Sequence, residues 1–544
     1  MRFDLPPELR GDVDALRADW ESGKKVARLW DGDASLWTGA GEDRWLGWLT
    51  VPSEQLARLE ELAALGREAQ EAGCEHALVL GMGGSSLCPE VLASSFGPVA
   101  GHPRLHVLDS THPAEVTARE REVGLDRTLF VVSSKSGTTL ETSILMRHFA
   151  SRAEEALGAG AGERFVAITD PGSGLEEEAR ARGFRAVMHG VPSIGGRYSA
   201  LSAFGMAPAA IAGFDVGELL RRGERMAAAC GPWAAGPGNP GLELGLLLGA
   251  AHERGRDKLT LFVSPRIAGL GAWLEQLVAE STGKQGRGIV PVDAEPPGDP
   301  DSYGEDRLFV QVTLGGRPGG QDAAVDALAR AGRPVVRIAL EDLADLGGQF
   351  FLWEFATAVA AAVIGVNPFD QPDVEAAKGR TRELTAAYER TGSPPPPAPS
   401  ASEQDVVEVL GRLAPPGYLA LLAYLPRAAE HERALEAIRG AVRDRTRAAT
   451  TAGFGPRYLH STGQAHKGGP PTGVFVQLTA DYQHDIAVPG SPYAFGFVHA
   501  AQARGDLDVL AERGRQVVRL HLGADAAGGL ARLRALLEQA GPPG

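Results

Sequence analysis

The chain has 544 residues, 44% hydrophobic and 23% charged, enough to bury several cores, so two or three domains are expected. Its net charge of −15 disfavours nucleic acid or an anionic membrane as a general partner, so any anionic ligand must be held by local positive groups. Cys74, Cys88 and Cys230 follow no metal spacing and form no disulfide framework, which fits a reducing cytoplasm, while residues 1–10 lack the apolar core of a signal peptide and the apolar stretch 355–366 is too short to span a bilayer.

Residues 1–70 read as amphipathic helices, with Trp30, Trp37, Trp45 and Trp48 used for packing. Beyond them, β-rich runs at 77–80, 105–108, 129–132, 165–168, 259–263, 308–313 and 335–340 alternate with helical segments. Strands separated by helices argue for parallel sheets covered on both faces, a doubly wound α/β architecture.

Two of these strands open into loops of small residues. The run 75–80 leads into Gly-Met-Gly-Gly-Ser-Ser at 81–86, and 129–132 leads into Ser-Ser-Lys-Ser-Gly-Thr-Thr-Leu-Glu-Thr at 133–142. Strand, small-residue loop and helix together converge backbone N–H groups and hydroxyls on an anion at a helix N-terminus. One such loop is as readily an ordinary tight turn, but two in one chain, the second with a lysine, imply a phosphorylated small molecule. Residues 81–84 do not make a GxGxxG dinucleotide fingerprint with an acidic ribose-binding strand end, and no lysine has P-loop placement.

Further along stands Gly-Gly-Arg-Tyr-Ser at 195–199, where paired glycines permit close backbone approach beside a fixed positive charge; alone it reads better as a surface turn with a solvated arginine. In the helical stretch 273–284, Gln276 and Glu280 lie one turn apart on a shared face, while Leu270, Leu274, Leu277 and Val278 occupy another, so the polar pair can point into a cleft or simply lie exposed near the capping Gly283. Residues 367–378, Asn-Pro-Phe-Asp-Gln-Pro-Asp-Val-Glu-Ala-Ala-Lys, read as a turn entering a helix, with Lys378 solvated if nothing else engages it. His460 and His466, with glycine between them, do not have a metal spacing, and each can be an ordinary packed or surface histidine.

A proline-rich linker occupies 391–403. Past it, Phe-Val-Gln-Leu-Thr at 475–479 and Leu-Ala-Glu-Arg-Gly-Arg-Gln-Val-Val-Arg at 510–519 echo Phe-Val-Gln-Val-Thr at 309–313 and Leu-Ala-Arg-Ala-Gly-Arg-Pro-Val-Val-Arg at 328–337, and His-Ser-Thr-Gly-Gln at 460–464 echoes Glu-Ser-Thr-Gly-Lys at 280–284. Three related α/β lobes are expected, with Glu280 aligned on His460. The resulting division is 1–70 helical, 71–230 first lobe, 231–390 second lobe, 391–403 linker and 404–544 C-terminal lobe.

Taken together, these stretches resemble the glucose-6-phosphate isomerase family, members of the sugar-isomerase (SIS) fold. The family's GxGGS, phosphate-loop, GGRxS, QxxxESxGK and NPFDQPGVExxK patterns match 81–85, 133–142, 195–199, 276–284 and 367–378, with Ser136-Gly137 for the usual Thr-Phe and Asp373 for glycine. The 75–380 region and the repeat look particularly like the isomerase half of transaldolase fusions, without a transaldolase half. The resemblance implies an aldose-ketose isomerase of glycolysis and gluconeogenesis, interconverting glucose 6-phosphate and fructose 6-phosphate in the cytoplasm without metal or organic cofactor. It implies that Gly84, Ser85, Ser134, Lys135, Ser136 and Thr139 bind the phosphosugar. Glu280 would shuttle a proton between C2 and C1, Arg197 and Gly196 would stabilise the enediolate, and Gln276, Gln371 and Lys378 would contact the sugar.

The family's ring-opening histidine falls between the glutamate motif and the lysine helix, but residues 281–380 contain no histidine. His460 takes its place in a comparable setting. In the family's homodimers the neighbouring subunit supplies that histidine, so the C-terminal lobe is expected to mimic the neighbour, the chain acting as a pseudo-dimer or as a homodimer. Alternatives are another phosphosugar such as mannose 6-phosphate, or a non-catalytic SIS sugar-phosphate sensor, which would keep the phosphate loops and lose the base. Association with a separate transaldolase stays open.

Overall fold

The computed structural model of the protein describes all residues except 235–237, 316–319, 395 and 541–544. Pro395, within the expected linker, therefore lies outside the described residues. Three sheets organise the rest. The first contains β2 (His76–Gly81), β3 (Arg104–Leu108), β4 (Thr128–Ser133), β5 (Phe165–Thr169) and β6 (Ala186–His189), all parallel, in the order β3-β2-β4-β5-β6. The second has β7 (Lys258–Val263), β8 (Val290–Val292), β9 (Arg307–Leu314) and β10 (Val335–Leu340), with β1 (Arg2–Asp4) added antiparallel at the edge, in the order β1-β10-β9-β7-β8. The third is β12 (Ala449–Phe454), β11 (Tyr418–Tyr424), β13 (Gly473–Thr479) and β14 (Gln516–His521), all parallel.

Each lobe winds outward from its first strand in both directions, so the α/β reading holds, and the C-terminal lobe repeats the second in detail. Val335 faces Phe309 across β10 and β9, as Val517 faces Phe475 across β14 and β13. The alignment of Glu280 with His460 does not survive. Glu280 lies on the helix Gly269–Thr282 that leads from β7 to β8, whereas His460 ends a short turn, Arg457–His460, that follows β12. The short Ser-Thr-Gly match therefore joins topologically different positions, and only the strands carry the repeat.

The N-terminal stretch is also not wholly helical. Arg2–Asp4 pairs with Val335–Arg337, and Asp4 and Arg337 form an ion pair of 3.3 Å. This pairing with a strand far along the chain leaves no local periodicity to read. Strands β6 and β8 are likewise short, and β8 carries Pro291 at a sheet edge, where a missing N–H costs no ladder bond.

The tryptophans pack as expected: Trp48 is wholly buried, while Trp30 and Trp37 donate indole N–H bonds to the carbonyls of Cys230 and Ala358, each at 2.9 Å. Burial of an aromatic of this size contributes roughly 2–3 kcal/mol. The helix Asp345–Ile364 is long and apolar enough to cross a membrane, but 89% of its most apolar window is buried inside the protein, where it packs as a core helix between lobes. The C-terminal lobe is not a free appendage. Val290 and Val292 of β8 join its inner core, and Val488, Tyr493, Phe495 and Val498 join the core of the first lobe.

Candidate active site

In a doubly wound sheet, ligands bind beyond the carboxyl ends of the strands where the winding direction reverses. In the first lobe that point lies between β2 and β4, whose ends, Gly81 and Ser133, are paired directly. The two small-residue loops are thus neighbours because the strands before them are. Gly84 could carry no side chain: a Cβ there would stand 1.9 Å from the Gly196 carbonyl oxygen. That contact brings the turn Gly83–Ser85 against the turn Gly196–Tyr198 and hence against Arg197.

The helix Gly269–Thr282 is largely apolar and buried, and Gln276 and Glu280 are among the polar residues it buries. Gln276 Nε2 donates to Glu280 Oε2 at 3.1 Å and to the carbonyl of His460 at 2.7 Å. Arg197 Nη1 stands 3.5 Å from Glu280 Oε1. The guanidinium is buried, and its donors are committed: Ser281 Oγ at 2.9 Å, the Pro368 carbonyl at 3.2 and 2.5 Å, the Asp370 carbonyl at 3.0 Å and Gln371 Oε1 at 3.0 Å. What remains for an anion forming nearby is a fixed positive charge rather than a free fork. Lys284 holds the same turn from its other side, with an ammonium bond to the Asn367 carbonyl and an ion pair to Asp370 at 2.9 Å. Burial, with Arg197 nearby, pushes the Lys284 ammonium down to about 7, against the pull of Asp370.

A cavity of about 260 Å³ adjoins this group, lined by Ser136, Thr139, Glu141, Lys378, His460 and Gln502 among others. Its floor is the N-terminus of the helix Leu140–Leu157, whose cap, Thr139, uses no side-chain capping bond and instead accepts from Ser134 Oγ at 3.2 Å. Open N–H groups there suit a phosphate. Ser136 Oγ lies 2.9 Å from Thr138 Oγ1. Lys135 directs its ammonium elsewhere, into an ion pair with Asp170 and a 3.2 Å bond to the Pro192 carbonyl, and its own carbonyl accepts from the Asp170 N–H at 3.1 Å. Lys378, half exposed, reaches Glu375 at 2.9 Å on the opposite wall.

His460 joins the two groups. Its carbonyl accepts from Gln276, and its Nε2 lies 2.9 Å from Glu141 Oε1. Burial alone would raise the Glu141 carboxyl, but the imidazole's charge and hydrogen bond, the residue's own N–H and Lys378 together hold it below its ordinary range. Glu141 carries no assigned role in the sequence reading, and its only signal there is a charge in the first turn of a helix beside a hydroxyl-rich loop. Gln464, which closes the His-Ser-Thr-Gly-Gln stretch, has a role the sequence did not show: its Oε1 accepts from the N–H groups of Asp373 and Val374 at 3.0 and 3.3 Å, and its Nε2 donates to Asp373 Oδ2 at 2.8 Å. Asp373, where the family pattern has glycine, also pairs with Arg513 at 2.7 Å, so the substitution serves the docking of the C-terminal lobe.

Residues 59–287 match the phosphoglucose isomerase family. A glucose-6-phosphate isomerase of Rubrobacter xylanophilus is 31% identical over 397 residues, covering 64% of this chain and 89% of that protein. Another, of Symbiobacterium thermophilum, is 30% identical over 400 residues, covering 63% and 86%. Among solved structures, a hypothetical protein of Thermus thermophilus superposes with a TM-score of 0.60 at 26% identity, over 70% of this chain and 99% of that one. A glucose-6-phosphate isomerase of Chlamydia trachomatis gives 0.57 at 21% identity, over 69% and 86%, a likeness of fold.

Fold, site and relatives define an aldose-ketose isomerase built from SIS lobes. The chain belongs to the glucose-6-phosphate isomerase family.

Proposed function

We propose that the protein interconverts glucose 6-phosphate and fructose 6-phosphate through a cis-enediolate, with the whole site drawn from one chain. In this reading the phosphate lies against the N-terminus of the helix Leu140–Leu157 and the hydroxyls of Ser136 and Thr139, with Gly84, Ser85, Ser134 and the Lys135 main chain shaping the loops around it. His460, oriented by Glu141, moves the proton between the ring oxygen and the anomeric hydroxyl when the sugar opens, and Lys378 steadies the same end. Glu280 then takes the proton from C2 of the open aldose and returns it at C1. Arg197 and the Gly196 backbone offset the negative charge on the enediolate oxygens, and Gln371 contacts the sugar while bonded to Arg197. A fixed charge at such a site contributes on the order of 3 kcal/mol of transition-state stabilisation. The chemistry is proton transfer throughout and calls on no metal or organic cofactor.

The observation that carries this reading is Gln276, whose single amide nitrogen binds both the carboxylate of Glu280 and the carbonyl of His460. It ties the proton-transfer carboxylate of the second lobe to the imidazole of the third, supporting the view that the C-terminal lobe stands in for a neighbouring subunit. Retention of Gln276, Glu280, Arg197 and Lys378 weighs against a sensor that has lost its base.

The test is conversion of fructose 6-phosphate to glucose 6-phosphate by protein treated with chelator, beside Glu280→Gln. Turnover that survives chelation and falls by about 10³-fold or more in the variant supports the reading. Wild-type protein that binds the phosphosugar without turning it over contradicts it, and faster turnover of mannose 6-phosphate reassigns the substrate.

A further inference from the structure

The helix Phe495–Glu512 of the C-terminal lobe packs against the first lobe, and the middle of its buried face carries a glutamine where a core helix would ordinarily carry an apolar residue. Gln502 is 2% exposed, and both ends of its amide are engaged. Nε2 donates to Glu141 Oε1 at 2.7 Å, the same oxygen that meets His460 Nε2 at 2.9 Å, and Oε1 accepts from Thr111 Oγ1 at 2.7 Å. The amide can sit only this way round. An ionised carboxylate has no proton to give, so the side facing Glu141 must be the NH₂, and the hydroxyl of Thr111 then fixes the carbonyl end. The main chain of Gln502 is held as well, its carbonyl accepting from Tyr424 OH at 3.3 Å.

We propose that Gln502 is a positioning residue for ring opening: it fixes the rotamer of Glu141 and keeps it ionised, so that Glu141 holds His460 in the orientation that serves the sugar's ring oxygen. The proposal rests on the reading of His460 given above. Gln502 acts on His460 through Glu141, to which its amide is bonded, and it also lines the cavity. The Thr111–Gln502–Glu141–His460 chain crosses three times between the first and third lobes, so the C-terminal lobe supplies both the imidazole and the donor that orients its partner. The charged and titratable groups facing Glu141 are His460 on the turn Arg457–His460, Lys378 on the helix Pro372–Thr391 and Tyr424 at the end of β11. Removing the neutral donor leaves those groups in place and weakens only the hold on the anion. The Glu141 carboxyl then titrates higher, and the acid limb of the ring-opening rate moves to higher pH.

The experiment compares wild type, Gln502→Leu, the isosteric Gln502→Glu and His460→Asn on two substrates. One is fructose 6-phosphate, which must be opened. The other is erythrose 4-phosphate, in which the phosphate blocks the only hydroxyl able to close a five-membered ring. Both Gln502 variants are expected to lose about 10- to 100-fold in kcat/KM on fructose 6-phosphate and to stay near wild type on erythrose 4-phosphate. In each, the acid limb for fructose 6-phosphate moves up by about half a pH unit or more. Equal losses on both substrates, or an unmoved acid limb, overturn the proposal. If His460→Asn shows the selective loss and neither Gln502 variant does, Gln502 is packing alone. If His460→Asn shows no selective loss, the assignment of His460 falls and takes this proposal with it.

Discussion

The imidazole Nε2 of His460 lies 2.9 Å from Oε1 of Glu141, a residue 319 positions earlier, so a pair that spans the first and third lobes closes within a single chain. Neither side chain is more than about a tenth exposed, with 11% for His460 and 7% for Glu141. The carboxylate is already below its ordinary range, and the contact therefore has consequences for both rate and stability.

Glu141→Gln keeps the shape of this pair and removes its charge. Turnover of ring-closed substrate should fall by about 10²-fold. A carboxyl depressed in the folded state contributes stability that is present above its unfolded value, near 4.5, and is lost as pH falls through the folded value. Wild type should therefore lose stability on acidification below that point more steeply than the variant, as read by urea unfolding across pH.

Asp373→Gly restores the family's residue and cuts the bonds from Gln464 and Arg513 that anchor the start of the lysine helix to the C-terminal lobe. Loss of a buried, charge-assisted anchor of this kind costs about 2–3 kcal/mol. The variant should unfold at lower urea and be cut faster by protease at the proline-rich linker. Unchanged cleavage would mean that the docking does not depend on Asp373.

The ordinary value of the Lys284 ammonium is 10.5, and in the folded protein it is pushed down to about 7. The unfolded chain thus holds the proton more tightly, so this group makes stability rise with pH between those values and is least favourable below the lower one. Lys284→Met removes the titration. The stability difference between wild type and the variant should shift in favour of wild type by about 1 kcal/mol or more from pH 7 to about pH 9. Parallel curves would show that Lys284 does not titrate in that range.

Gly84→Ala would bring a methyl group 1.9 Å from the Gly196 carbonyl oxygen, which is backbone on both sides. Overpacking at such a contact costs about 1–3 kcal/mol, and here it separates the Gly83–Ser85 turn from the turn that carries Arg197. Activity should fall by at least about 10-fold while the far-ultraviolet circular dichroism remains native; wild-type activity would show that the two turns can part without consequence.

The central strands and the two small-residue loops that follow them were legible in the sequence, because a buried parallel strand is a short apolar run and the glycines and hydroxyls that end it stand next to it in the chain. The repeat was legible at Phe309 and Phe475, whose registers agree. The pairing of Glu280 with His460 misled because Ser-Thr-Gly is too short to fix a topological position. Gln502 and Arg457 left no signal, and Gln464 was legible only as part of the His-Ser-Thr-Gly-Gln stretch, since each acts on a partner in another lobe. Arg457, on the turn with His460, pairs with Asp109 at 2.7 Å and with Glu90, contacts that exist only once the lobes have met.

The claim that one chain completes the site is tested most directly by complementation. Glu280→Gln and His460→Asn are purified separately, mixed, unfolded and refolded together, and assayed on fructose 6-phosphate. If Glu280 and His460 must lie in the same chain, the mixture stays as inactive as its parts. Recovery of about a quarter of wild-type activity per chain, as expected when random dimers pair one intact glutamate with one intact histidine across subunits, would contradict the account.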